Sequence, residues 1–260
     1  MAATAFDVNP GPGAVPRASL SVVSHGQAAL VAELLRDVQA HVSGPIEVIL
    51  TLNIPEALPF SAGDFNFPVR LITNEKPKGF GANHNQAFSA SSGEYFVVLN
   101  PDIRLRADPL PALMEVLGGD IGVAAPAVLN PANEPEDSAR RFPTPLAILL
   151  KALRGSRGGD YPTDQPRVFP DWVAGMFMLF PRRVFADLRG FDERYFLYYE
   201  DVDLCARLRS AGLRACRVAE CCVIHDARRQ SHRSLRYLRW HVSSMLRFFL
   251  THPRLALGFR

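Results

Sequence analysis

Residues 95–102 read YFVVLNPD. Tyr95–Leu99 runs without a polar interruption, and a strand that is apolar at every position is one buried on both faces. Pro101 lacks an amide donor, so the strand ends at Asn100-Pro101-Asp102. Ligands of open α/β sheets sit at the carboxyl ends of the strands. A carboxylate delivered there, Asp102, suits a hard divalent cation shared with diphosphate oxygens. An ordinary turn aspartate is the plain alternative, and spacing alone leaves both open.

Upstream, Ser19–Ser24 (SLSVVS) is a short strand broken by His25-Gly26-Gln27. Ala28–Ala40 has helical spacing, with Leu30, Leu34, Leu35 and Val38 on one side. Ile46–Leu52 (IEVILTL) and Val69–Thr73 are further strands, separated by a Pro- and Phe-rich loop over 55–68. Gly79-Phe80-Gly81 opens a helix through Ala82–Ser91. The order β-α-β-β-α-β predicts a Rossmann-like α/β fold, its central sheet mostly parallel, with helices on both faces.

Downstream, Pro109–Leu117 reads as a helix and Val123–Leu129 as a strand. Residues 130–170 are rich in Pro, Gly and charge, with one amphipathic stretch at Leu146–Leu153, and read as a long excursion over the site. Trp172–Phe180 is strand-like, Arg182–Leu188 a short helix, and Asp201–Ala211 a strong helix closed by Gly212. Ala215–Ala219 and Cys222–His225 are short extended pieces, and Ser234–Thr251 is a basic amphipathic helix. Its apolar stripe, Leu235, Leu238, Val242, Met245 and Phe249, is expected to face a membrane interface or pack on the domain. The predicted organisation is a disordered leader over 1–17, one domain over 18–231 and a basic C-terminal helix over 232–260. The domain divides into a nucleotide-binding half, about 18–129, and an acceptor half, about 130–231.

The 260 residues suffice for a sizeable core, and 48% hydrophobic with 21% charged residues excludes a disordered or fibrous chain. The longest apolar run, Trp172–Phe180, is nine residues, against the roughly 20 that span a bilayer. Residues 1–17 lack the basic and apolar regions of a signal peptide. Residues 1–226 carry a net charge of −5; after Asp226 come eight arginines and no acid. Such a tail suits anionic lipid, a lipid diphosphate or nucleic acid, or is a solvated helix face. No recognition motif supports nucleic acid. The four cysteines, Cys205, Cys216, Cys221 and Cys222, form no CxxC pair, so zinc is not indicated. Reduced thiols and a cytoplasmic location are expected.

Glu200-Asp201-Val202-Asp203 puts three carboxylates at a helix start, where the helix dipole alone favours acids. Three exceed what capping needs, and clustered like charges raise pKa values and suit a general base or metal site. His225 ends the segment CVIH and gains weight as a ligand only if folding brings it near Asp102. Trp172, in DWVAG with Gly175, is either a sugar platform or a core aromatic. Asn83 and Asn85, in the loop opened by Gly79, suit a nucleotide or sugar hydroxyl, or are helix caps. The loop lacks both the GxGxxG and the GxxxxGK[ST] spacing.

In this order, SVVSHG, LITNEKPKGFGANHNQAF, GEYFVVLNPDIRL, DWVAGMFMLFPRRVF, GFDERYFLYYEDVDLCARLRSAG and VIHDARRQS resemble glycosyltransferase family 2. The nearest resemblance is to its bacterial rhamnosyltransferase-like branch, over about Ser19 to Ser231. The resemblance implies a GT-A fold, a nucleoside-diphosphate-sugar donor, a divalent cation (Mg²⁺ or Mn²⁺) and sugar transfer with inversion. It implies a metal site of Asp102 and His225, with Asp201 as catalytic base. Donor-binding residues are then Ser24, Asn53, Asn74, Gly79, Asn83, Asn100 and Asp102, with Arg228 and Arg229 on phosphate. Trp172, Gly175 and Glu200 fall on the acceptor side. The implied acceptor is a saccharide or a lipid-diphosphate-linked sugar in cell-surface polysaccharide synthesis, with peripheral contact to the inner face of an anionic membrane. The family's Asp-Asn after the second strand is Leu52-Asn53 here, which alters the nucleobase contact. A non-catalytic nucleotide-sugar or polysaccharide binder is the alternative. A nucleotidyltransferase would need a basic Gly-rich loop where Ser24-His25-Gly26-Gln27 stands.

Overall fold

The computed structural model describes residues 16–154, 159–226 and 235–258. In chain order the elements are β1 (Ala18–Ser24), α1 (Ala28–His41), β2 (Ile46–Leu52), β3 (Val69–Thr73), α2 (Phe80–Ala90), β4 (Tyr95–Leu99), β5 (Ile103–Arg104), α3 (Leu110–Val116) and β6 (Ile121–Leu129). There follow β7 (Ala139–Arg140), α4 (Pro145–Arg154), β8 (Arg167–Val168), β9 (Trp172–Val173), β10 (Phe177–Pro181), α5 (Arg182–Asp187), α6 (Glu200–Ser210), β11 (Arg214–His225), α7 (Leu235–Thr251) and α8 (Pro253–Ala256).

The central sheet runs β3-β2-β1-β4-β10-β6-β11-β5, with β8 also on β11. From β3 to β4 every pairing is parallel, and β6 with β11 is parallel too. β10 runs antiparallel between β4 and β6 and joins the two parallel blocks. The expected Rossmann-like α/β sheet, covered on both faces, is the architecture found.

β4 explains why the sheet is covered twice. Val97 and Leu99 enter a cluster with Val31, Leu34 and Leu35 of α1 and Leu113 of α3. Phe96 and Val98 enter the opposite cluster, with Ala87 of α2, Phe185 of α5, Val202 and Leu208 of α6, and Phe248 of α7. Each such side chain contributes roughly 1.5–3 kcal/mol on full burial, so β4 has no face to spare for water.

Three details depart from the expected outline. The two extended pieces near the C-terminal end are one strand, β11, with a register shift between Val218 and Cys222. A bulge keeps a strand paired while it re-aims its end, and a sequence period of two does not reveal it. Trp172–Phe180 is two strands, β9 and β10, because Gly175 turns toward α6 between them. In α7, Met245 and Phe249 pack on the domain beside buried Phe248, so the outward apolar stripe is Leu235, Leu238, Val242, Leu246 and Leu250. No helix among the described residues is long and apolar enough to cross a membrane.

On the α2 side β1 presents serines. Ser19 Oγ donates to Glu47 Oε1 at 2.6 Å and accepts from the Gly93 amide at 2.8 Å. Ser21 Oγ lies 2.7 Å from Nδ1 of His84, a wholly buried residue whose Nε2 has no partner. Burial without a counter-charge lowers the His84 pKa from 6.5 to about 3. An unfolded chain takes up that proton near pH 6.5 and the folded one does not. The contribution to stability is therefore present above pH 6.5 and lost as pH falls toward 3. Between pH 8 and pH 5 the wild type should lose about 2 kcal/mol more than His84→Gln does. Parallel denaturant curves for the two proteins would measure this, and equal losses would assign the residue a normal pKa.

Candidate active site

Asp102 and His225, 123 positions apart in the chain, meet because of register. β5 follows Asp102 directly and pairs antiparallel with the end of β11, His225 opposite Ile103 and Ile224 opposite Arg104. The Asp226 amide donates to the Asp102 carbonyl at 2.9 Å, locking that register. Arg104 anchors β5 from the other side. Its guanidinium donates twice to Asp37, at 2.6 and 2.9 Å, and to Glu33 at 2.8 Å, and these carboxylates raise its pKa. Asp102 is thus fixed by a strand of two residues held at both edges.

The side chains then converge. His225 Nε2 lies 3.3 Å from Asp102 Oδ2, and Nδ1 lies 2.7 Å from Glu136 Oε2. Burial alone would lower the imidazole pKa, but hydrogen bonds and charge from Asp102 and Glu136 outweigh it and lift the value to about 8. Glu136 is the residue that the sequence reading missed. It sits in the Pro-rich excursion, with nothing in its local pattern to mark it. A carboxylate on one ring nitrogen fixes the tautomer and aims the other, the arrangement found behind metal-bound histidines.

Asp102 Oδ1 is buried with no partner. A buried, unpaired carboxylate oxygen beside an oriented imidazole suits a hard cation that completes its shell with phosphate oxygens and water. Among the described residues no group of three or more His, Cys, Asp and Glu side chains is arranged to hold a metal by itself. The donor set thus fits a cation shared with a ligand.

Asp201 is tied to the same strand ends. The Asn100 amide donates to the Met176 carbonyl at 2.9 Å, and the adjacent Gly175 amide donates to Asp201 Oδ2 at 3.0 Å. The Val202 amide holds Oδ1 at 2.8 Å. At Gly175 a Cβ would stand 3.2 Å from the Phe80 ring and 3.7 Å from Asp201 Oδ2, so the absent side chain keeps this approach open. Tyr198 and Tyr199, at the entry to α6, both have left-handed backbone, with φ of 69° and 68°. That conformation costs a bulky residue energy and recurs where a neighbouring group must be aimed.

The three carboxylates divide their roles. Asp203, almost wholly buried, accepts from Arg207 at 2.8 Å and lies 2.8 Å from His252 Nε2, so it is structural. Glu200 is buried with Oε2 unpaired; burial, and then the charge of Asp201, push its pKa well above the usual carboxylate range. Asp201, partly exposed, is also raised by burial, against the amides of Gly175 and Val202 and the charge of Arg140. Arg140 pairs in register with Trp172, and its guanidinium stands 5.5 Å from that ring's centroid. Trp172 is partly exposed, and its Nε1 donates to the Arg141 carbonyl at 2.9 Å.

The asparagines of the opposite loops form a network. Asn74 Nδ2 donates to Asn53 Oδ1 at 2.9 Å and to Asn83 Oδ1 at 2.7 Å. Asn53 Oδ1 also accepts from the Lys78 amide, and Asn83 Nδ2 donates to the Gly79 carbonyl. The network draws together the ends of β2 and β3 and the start of α2, with Asn74 Oδ1 buried and unpaired. Asn85 binds both the amide and the carbonyl of Phe191. Ser24 Oγ accepts from the Gln27 amide at 3.1 Å, while Glu56 accepts from the amides of Gly26 and Ala28 at 3.2 and 2.8 Å. A phosphate seat after β1, which a nucleotidyltransferase needs, is filled by the chain itself. Arg228 and Arg229 lie outside the described residues.

Gly79 is where the two loops touch. The Phe80 amide donates to the Phe196 carbonyl at 2.9 Å, and a Cβ on Gly79 would stand 2.6 Å from that oxygen. Both contacts are backbone, so neither side can yield. Gly79→Ala should destabilise the protein by about 1–3 kcal/mol, read from the denaturant midpoint; an unchanged midpoint would mean that the 190–199 loop moves freely.

Comparison with known proteins identifies relatives of the chain. The model of Glycosyl transferase family 2 matches residues 19–165. The rhamnosyltransferase WbbL of Escherichia coli K12 is 31% identical over 183 residues, covering 65% of this chain and 69% of that one. The N-acetylglucosaminyl-diphospho-decaprenol L-rhamnosyltransferase of Mycobacterium tuberculosis is 28% identical over 204 residues, covering 70% and 66%. The chain thus spans about two thirds of the length of these relatives. Among solved structures, GalNAc-T7 with UDP, GalNAc and Mn²⁺ superposes with a TM-score of 0.64 at 15% identity, over 89% of this chain and 48% of that one. The mannosyltransferase PcManGT of Pyrobaculum calidifontis with GDP-Man and Mn²⁺ gives 0.60 at 16% identity, over 95% and 67%. At such identities the structures speak to fold alone.

Proposed function

Since the chain belongs to glycosyltransferase family 2, we propose that it moves a sugar, rhamnose, from a nucleoside diphosphate to a saccharide or lipid-diphosphate-linked acceptor in cell-surface polysaccharide synthesis. The observation that carries this reading is the approach of Asp102 to His225, with Asp201 bound through Gly175 beside the same strand ends. The rhamnosyl and lipid-linked parts are supported by the names of the two relatives.

The chemistry follows from charge. Breaking the bond to a diphosphate puts negative charge on the leaving oxygen. A divalent cation, Mg²⁺ or Mn²⁺, would be held by Asp102 and His225 and supplies neutralisation there. Glu136 keeps the imidazole turned so that Nε2 faces Asp102. Asp201 accepts the proton of the acceptor hydroxyl. Its raised pKa makes it a stronger base than a solvated aspartate, and the Gly175 and Val202 amides hold its oxygens in place. One base suffices for a single displacement, which inverts the anomeric centre. Trp172 with Arg140 forms the acceptor wall. Ser24, Asn53, Asn74, Asn83 and Asn100 shape the donor side, with Asn74 Oδ1 as the acceptor atom left for a ligand. Peripheral membrane contact belongs to the same reading, resting on the eight arginines beyond Asp226 and the outward leucines of α7.

Two outcomes are expected. Asp201→Asn should slow transfer by about 10²–10⁴-fold while donor affinity survives, because only proton removal is lost. Transfer near the wild-type rate would remove Asp201 from this role. In a thermal-shift panel of nucleoside diphosphates and nucleotide sugars with Mg²⁺ or Mn²⁺, the metal-dependent rise in Tm should vanish in Asp102→Ala. Slow donor hydrolysis by the wild type, absent from that variant, separates an enzyme from a binding protein.

A further inference from the structure

α4 is built with its apolar side outward. Leu146, Leu149, Leu150 and Leu153 recur at i, i+3, i+4 and i+7, which places them on one helical face. Their exposures are 64, 56, 37 and 74%. Ile148, on the opposite side of the turn, is the half-buried residue. A helix that served only to pack on the domain would carry the reverse pattern.

The segment that carries this face is basic along the chain, with Arg140 already paired to Asp137 at 3.0 Å and Lys151 exposed on the helix itself. From Arg140 to Arg154 the chain holds Arg140, Arg141, Lys151 and Arg154 and no acid. An apolar stripe with flanking cations is the composition of a helix that lies in the interface of an anionic bilayer. α4 is also anchored at its root. Phe142, three residues before its start, is buried and stacks on Phe248 of α7 with ring centroids 6.3 Å apart. Arg140, just before, stands on Trp172 beside Asp201. The helix therefore springs from the wall of the candidate site, next to the helix whose outer face is likewise apolar and basic.

We propose that α4 docks on an anionic lipid bilayer through Leu146, Leu149, Leu150 and Leu153. The site then faces lipid-borne phosphate, and the acceptor is the lipid-diphosphate-linked one of the two classes named above, an assignment that rests on the glycosyltransferase reading. Bilayer and acceptor lipid share one chemistry, an anionic phosphate on a hydrocarbon anchor.

The test uses the full chain with vesicles of phosphatidylcholine alone or with phosphatidylglycerol. Wild type should float with the anionic vesicles. A variant with all four leucines changed to Ser should float at least about tenfold less, with its Tm retained because the side chains removed are exposed. The pair Leu235→Ser and Leu238→Ser serves as the α7 control. Equal flotation of wild type and the α4 variant overturns the proposal. So does a wild type that stays off vesicles and sediments as a dimer that the α4 variant abolishes, since the stripe would then bind a second copy. Donor hydrolysis in solution should be the same in wild type and the α4 variant. Loss of hydrolysis in the wild type itself would sink the glycosyltransferase reading while leaving the flotation result standing. Equal use of lipid-linked and water-soluble acceptors by wild type and variant would remove the acceptor assignment.

Discussion

The antiparallel insertion of β10 between β4 and β6 is the contact on which the rest of the molecule depends. It pairs Phe177 with Leu99 and Leu179 with Val97, so the end of β4 lies against the start of β10. From that one register two consequences follow. The Asn100 amide reaches the Met176 carbonyl, which sets the strand end carrying Asp102. The Gly175 amide is left pointing at Asp201, which brings α6 to the same crevice. Slipping β10 by one residue would swap the faces of Phe177–Phe180 and withdraw the Gly175 amide. Core packing and site geometry are therefore one constraint.

Electrostatics within the crevice separates into two poles. One holds Asp102, His225 and Glu136, where two carboxylates raise the imidazole pKa to about 8 when no cation is bound, so a cation bound there takes the place of the proton on Nε2. The other holds Glu200 and Asp201, where burial raises both carboxyls. A pole able to take a cation and a pole able to take a proton are what a displacement with a diphosphate leaving group requires. The acid-rich appearance of residues 200–203 conceals this division, since Asp203 is committed to Arg207 and His252.

The two loops that flank these poles are coupled through backbone. Gly79 lets Phe80 bond to Phe196, and Asn85 grips Phe191 by both of its peptide groups. Gly79 and Gly81 thus serve close packing, against Phe196 and Phe191, and the segment they pack against leads straight into Asp201. The loop that opens α2 and the segment that leads to Asp201 are joined by contacts that leave little room for independent motion.

The fold was legible wherever a strand was apolar throughout or a helix kept one apolar stripe. Tyr95–Leu99 and Ile46–Leu52 appear in the structure with the bounds their residues imply, because burial on two faces leaves no alternative for such segments. Asp102, Asp201 and His225 were legible as residue types at element ends, and their motif order carried the family. What local pattern did not contain was anything set by partners distant in the chain. Glu136 had no signal of its own, since its role exists only where His225 lies opposite. Met245 and Phe249 share helical spacing with Leu235, Leu238 and Val242, and only the burial of Phe248 fixes which side of α7 meets the domain. By itself the sequence determined which segments must be buried and which carry charge, because those follow from each side chain's own affinity for water. Only the tertiary structure decided which charges face one another, because strand register and the bulge in β11 are settled by packing across the whole sheet.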